Sequence, residues 1–446
     1  VKSQFFKYWY RVRSSFWFVP TTMAASAVVV ALGCVRLDKA AAAWLAAHVG
    51  WEFTGGAEGA SAVLGIIAGS MITIAGTVFS MTLVALSLAS SQLGPRLLRT
   101  FMRDTSTQVV LGTFIAAFVY CVLVLRTIRR AEEALFVPHL SVSLGVLLAV
   151  VSVGVLIYFI HHVSVSIQAN EVAARIAREL LQKVDHLFPE HAPLGGPGVT
   201  VVPDGDILGV FDHDAKPIPA NGSGYLQFID RHALLALATR EDVLIRLERK
   251  TGNFVVAGCP LVVISPKARV TDQLAERVQS LFVLGHQRTS DQDVEFGVNQ
   301  LVEIAVRALS PGVNDPFTAM ACVDQLGSVL CRIAGRDMLS PYHYDDQHHL
   351  RVIGRVDTFE EVVDAAFNQI RQYGRTSAAV TIRLLETVAV ITGFVHRPED
   401  RATLLRHAEM ITRGAREGLP EEEDRRVVEE RWVAVRRLTS GREYVG

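Results

Sequence analysis

The chain has 446 residues, half of them hydrophobic, with 44 basic and 45 acidic side chains. That is too long for one compact domain and too apolar for an ordinary soluble enzyme, and the balanced charge excludes a global basic field for nucleic acid. Five cysteines at unpatterned spacing argue against a disulfide framework or a zinc site.

Four windows are long enough to span a bilayer, which takes about 20 apolar residues. They run roughly over Phe16–Val35, Ser61–Leu93, Gln108–Leu125 and Pro138–Ile160, and none holds Asp, Glu, Lys or Arg. The first is read as a retained span, because no small-residue cleavage site follows its long apolar run. With the N-terminus inside, the inner flanks carry Lys2, Lys7, Arg11 and Arg13, then Arg96, Arg99 and Arg103, then Arg175, Arg178 and Lys183. They outnumber Arg36, Lys39, Arg126, Arg129 and Arg130 on the outer flanks, so both termini are expected to be cytoplasmic. Between the first two spans, "DKAAAAWLAAHVGWEF" places Trp44 and Trp51 at interfacial spacing and is expected to lie along the outer membrane surface.

The second window poses the sharpest question. As a helix its 33 residues would be about 50 Å long, well beyond a ~30 Å hydrocarbon core. Gly65, Gly69, Thr73, Gly76, Ser80, Ser87 and Ser91 follow three- and four-residue steps and form one stripe of small and hydroxyl side chains. Such a stripe lets another backbone approach, which is the plain reading. Repeated around a symmetry axis, it would instead line a narrow hydroxylated pore. The pore-lining candidates are Gly69, Thr73, Gly76, Ser80, Ser87 and Ser91, with Arg96, Arg99 and Arg126 at the mouths. No carboxylate lies mid-span, which disfavours a proton- or sodium-coupled carrier.

After the fourth window, "YFIHHVSVSIQANEVAARIARELLQKVDHLF" carries no helix breaker before Pro189 and reads as the membrane helix running on into the cytoplasm. His161 and His162 at the exit point about 100° apart and are expected to be interfacial. A linker, "HAPLGGPG", leads to short Val/Ile-rich runs, "VTVVP", "DILGVF", "GYLQFID", "DVLIRLER" and "GNFVVAGCPLVVIS". They predict a small antiparallel barrel or sandwich over 199–270. The last run looks like a biotinyl- or lipoyl-type strand pair but lacks a carrier lysine, so a connector is expected.

From Thr271 the pattern turns helical, with Phe296, Leu301, Ile304, Ala305 and Ala308 on one face. In "SPGVNDP", Ser310-Pro311-Gly312 stops one helix, Asn314 or Asp315 can cap the next, and Pro316 takes its first position. Capping accounts for every residue there. The functional alternative is an anion site at that helix N-terminus, near Arg288 or Arg307, with Arg288, Asn314 and Asp315 as ligand-binding candidates. "YHYDDQHHL" gathers metal-ligand residue types at no metal spacing and is read as a polar hairpin end. Helices are predicted near 358–373, 377–395, 398–415 and 421–437.

The segments "SSQLGP" before Arg96, "FIHHVSVSIQ", "RTSDQDVEFG" and "RALSPGVNDPFTA" resemble a bacterial family of predicted membrane proteins called domain of unknown function 2254. The resemblance spans nearly the whole chain, with "SPGVNDP" its most distinctive part. It implies four N-terminal spans and a cytoplasmic C-terminal half, and it implies no activity.

The expected fold is therefore a multi-pass α-helical membrane protein of four spans with a cytoplasmic α+β region. The segments are 1–165 for the membrane, 166–198 for a helical extension and linker, 199–270 for the β part and 271–446 for the helices. The expected function is a homo-oligomeric passive channel of the bacterial inner membrane, with the bilayer, other copies and a small ion as partners. A membrane-anchored sensor or scaffold is the alternative. No nucleotide loop, nucleophile motif or metal motif is found in usable context, so neither an enzyme activity nor a cofactor is expected.

Overall fold

The computed structural model describes residues 16–48, 56–94, 104–128, 137–166, 168–188, 211, 213–289 and 292–439, without the side chains of 41–48 and 89–93. Two compact units, Val1–Glu171 and Val172–Gly446, divide it.

In the N-terminal unit the four apolar runs form helices α1 (Phe18–His48), α2 (Ala57–Leu93), α3 (Thr105–Thr127) and α4 (His139–Ser166). Helix is the natural state of such runs, since it satisfies every interior backbone group locally. Helix α1 continues to His48, so Trp44 belongs to the same helix as the first span, while Trp51 lies outside the described residues. Helix α3 is the inner one: half of its most apolar stretch is buried, against 17% in α1 and 22% in α4. Phe114 and Tyr120 are fully buried along it. Its Gly112 is where α1 comes closest, since a Cβ there would stand 2.5 Å from the Met23 sulfur. On α4, a Cβ at Gly145 would fall 2.9 Å from a Leu64 methyl.

The long exit helix is interrupted between Ser166 and Ala169, and α5 (Ala169–Leu187) begins anew. The run "VSVS" explains the break: Val and Ser are weak helix formers, and the Ser164 and Ser166 hydroxyls donate back to the Ile160 and Val163 carbonyls.

The C-terminal unit holds most of α5, then β1 (Lys216–Pro219), β2 (Gly224–Ile229), α6 (Arg231–Glu241), β3 (Leu244–Leu247), β4 (Phe254–Val255) and β5 (Pro260–Ser265). Next come α7 (Asp272–Ser280), β6 (Phe282–Gly285), α8 (Val294–Ala308), α9 (Pro316–Ala334), β7 (Tyr342–Tyr344) and β8 (Leu350–Ile353). Helices α10 (Phe359–Gly374), α11 (Ala378–Thr392), α12 (Pro398–Gly418) and α13 (Glu422–Thr439) complete it.

The β region departs from the expected antiparallel barrel or sandwich. One sheet has order β1-β5-β3-β8-β7 and the other β4-β2-β6. The first is mixed, because β3 pairs in parallel with β8, Ile245 opposite Val352. The sheet therefore does not stop at residue 270, and strands expected inside a separate helical domain complete it. The physical reason is the core: Leu226, Ile245, Ile264, Phe282 and Val352 all belong to one apolar cluster with α6 and α7. The runs "VTVVP" and "DILGV" lie outside the described residues.

Among the described residues five helices, and not four, are long and apolar enough to cross a membrane. The fifth, α9, is buried at Cys322, Val323, Leu326 and Leu330, and Gly327 brings it within van der Waals reach of Thr387 on α11. Helix α12 contributes a fully buried His407, whose Nε2 lies 2.7 Å from Asp364 Oδ1, with its ring edge on Phe367. Burial, together with the Arg406 and Arg371 charges, pushes this histidine's pKa down against the pull of Asp364. A histidine with a depressed folded pKa is protonated more readily in the unfolded chain, so stability is complete above about pH 6.5 and is lost as the pH falls below it. Unfolding measured between pH 5 and 8 should show that loss. The slope should shrink in His407→Gln without vanishing, because burial also lowers the pKa of His343. An unchanged slope in the variant would contradict the assignment.

Candidate functional sites

The small-residue stripe of α2 points away from its own subunit. The buried face is Ala60, Leu64, Ala68, Met71, Ala75 and Val78, which pack into the apolar clusters of the four helices. Gly69, Thr73, Gly76, Ser80 and Ser87 are exposed, while the Ser91 side chain is outside the described residues. A Cβ added at Gly65, Gly69 or Gly76 would meet nothing within 4 Å. The close approaches inside the subunit are made instead by Gly112 and Gly145. Thr73 donates its hydroxyl to the Gly69 carbonyl, which keeps the group hydrogen-bonded and leaves the oxygen lone pairs free to accept. Of the mouth candidates, Arg126 is exposed in the last turn of α3, and Arg96 and Arg99 lie outside the described residues.

Two carboxylates that sequence reasoning passed over organise the ends of this bundle. Asp38 on α1 is 6% exposed and accepts from Leu140 N–H, Ser141 N–H and the Ser141 hydroxyl at 2.9, 2.9 and 2.5 Å. It thus caps the N-terminus of α4 from a different helix. The Tyr120 hydroxyl donates to the Ser141 carbonyl beside it. Asp104 caps α3 through Ser106 N–H and Thr107 N–H and also holds His162 Nε2 at 2.7 Å. His162 in turn stacks on Tyr158. The cap at Asp104 was legible in "DTST"; Asp38 and His162 carry no local signal, because their partners lie far along the chain.

The "SPGVNDP" corner is built from caps. Ser310, Val313 and Asn314 turn the chain over the end of α8, with Asn314 at φ 49° and Asp315 N–H donating to the Ala308 carbonyl at 2.7 Å. Asp315 accepts from Thr318 N–H and the Thr318 hydroxyl, which hold its carboxyl below the usual carboxylate range. Asp315→Ala should therefore cost about 1 kcal/mol in an unfolding measurement through the lost cap. A much larger loss of function with stability intact would assign the corner another role.

Arg288 is not brought to this corner. Its Nε and Nη2 grip Asp293, both at 2.9 Å, and its remaining contacts are Glu295 and the Phe296 ring. Asp293 is 2% exposed and also caps α8 at Phe296 N–H. The guanidinium is thus spent on a structural pair, and Asn314, Asp315 and Arg288 do not form one anion site.

The family model described as "Predicted membrane protein (DUF2254)" matches residues 13–390. The chain belongs to this family. An uncharacterized protein of Mycobacterium bovis and one of Mycobacterium tuberculosis are each 33% identical to it over 382 residues, covering 84% of this chain and 72% of theirs. No solved structure matches it. The long apolar helices of the N-terminal unit agree with that description.

Proposed function

We propose that the chain is a homo-oligomeric channel of the bacterial cytoplasmic membrane that passes a small ion passively. Helices α1 to α4 span, both termini are cytoplasmic, and α2 faces the axis. The observation that carries this reading is the outward stripe: Gly69, Thr73, Gly76, Ser80 and Ser87 are exposed, with no partner helix of their own subunit among the described residues. A run of small and hydroxyl residues on a bare helix face suits a symmetric neighbour or a narrow lumen better than lipid. The stripe holds no ionisable group to couple flux to a gradient.

The test is flux through purified protein in liposomes, under potassium and chloride gradients. Ser80→Leu should change flux roughly tenfold by narrowing the bore, with the oligomer intact on size-exclusion chromatography. Met81→Leu, on the neighbouring exposed face, should leave it nearly unchanged. Protein that passes neither ion would sink the proposal.

A further inference from the structure

The C-terminal unit encloses a cavity of about 570 Å³ between α6, the end of α5, the β7–β8 hairpin and the segment before α10. That is within the range of small-molecule sites. Arg231 and Lys250 face Asp345 and Asp357 across it, and both carboxylates have partners other than Arg231. Asp345 is satisfied by Arg351 at 2.7 Å and by the N–H groups of Gln347 and His349. Asp357 is taken by Lys250 at 2.6 Å, which also reaches Glu361. Arg231 is left over. It lines the cavity from the first turn of α6 and makes no hydrogen bond or ion pair among the described residues. His232 and His343 line the same cavity, and His343 lies near enough to Arg231 and to His232 for each to act on it electrostatically. Leu235, Leu339 and Val356 supply an apolar side.

Asp357 is close enough to act on Arg231 through its charge but is hydrogen-bonded to Lys250, so the guanidinium keeps its own donors for an anionic ligand. Arginine presents a planar fork suited to phosphate, and two adjacent imidazoles can each add a donor. One guanidinium fork and two imidazole donors suit the three oxygens of a phosphate better than the two of a carboxylate. We propose that this cavity binds a small phosphate monoester with an apolar body, the phosphate on Arg231, His232 and His343 and the body against Leu235, Leu339 and Val356. The site stands independently of the pore reading.

Phenyl phosphate is the probe, titrated calorimetrically into the full chain in detergent, with inorganic phosphate, benzoate and phenol as comparisons. Phenyl phosphate should bind most tightly, and Arg231→Met should weaken it at least about tenfold, the loss of a charge-assisted pair. A second readout uses the unaltered protein: phenyl phosphate should protect Arg231 from phenylglyoxal, followed by peptide mass mapping. No binding of phenyl phosphate, or binding without protection of Arg231, overturns the site. Phenol, benzoate or inorganic phosphate binding as tightly as phenyl phosphate overturns the assignment of the ligand class.

Discussion

Asp38→Ala should cost the protein roughly 3 kcal/mol, the largest effect expected for a single change in the N-terminal unit. Three donors converge on that carboxylate, and all three belong to the first turn of another helix. Removing it leaves the Leu140 and Ser141 N–H groups and the Ser141 hydroxyl without acceptors where little water reaches. An unmet buried donor costs its full desolvation penalty, and not the modest net value of a hydrogen bond. Asn is a poor substitute, because its amide nitrogen would set a donor against a donor at one of the two positions. Unfolding in detergent micelles checks this. Wild-type stability in Asp38→Ala would show that α4 is capped some other way.

Gly252→Ala should be similarly severe in the C-terminal unit, at roughly 4 kcal/mol from backbone strain plus disruption of a buried pair. Gly252 sits at φ +89°, in the region where a side chain is strained. A Cβ there would also stand 2.2 Å from Asp293 Oδ2 and 2.8 Å from Arg288 Nη2. The added methyl cannot be accommodated without opening the Arg288–Asp293 pair, and with it the cap of α8. Gly258 separates the two contributions. Its φ of +84° is similar, but nothing lies within 4 Å of its Cβ position, so Gly258→Ala should show strain alone, about 1 kcal/mol. Equal losses in the two variants on thermal unfolding would rule out the clash.

How much of this was legible depended on how far each residue's partner lies along the chain. The apolar runs announced α1 to α4, since continuous apolar stretches of that length satisfy their own backbone only as helix. The helix expected near 358–373 is α10, and both bonds of its capping box, Thr358 with Glu361, are present. "SPGVNDP" likewise folds by local capping, with Asp315 in the role its spacing suggested. Sheet pairing was not legible. Ile245 and Val352 meet across a long stretch of helices, and the alternation within either strand says nothing of its neighbour. The same holds for the cavity. Arg231 reads as one more exposed helix residue until β7 places His343 near it.

The tie between Asp38 and α4 sets an order of events during synthesis. The acceptor leaves the ribosome more than a hundred residues before its donors at Leu140 and Ser141. At bacterial elongation speeds of about 5–20 residues per second, that is a wait of several seconds or more. Through that interval the three donors of α4 do not yet exist, and the carboxylate keeps its charge hydrated only where water can reach it. Its hydrogen bonds are completed only when α4 arrives, which makes the last helix of the bundle the one that fixes the first.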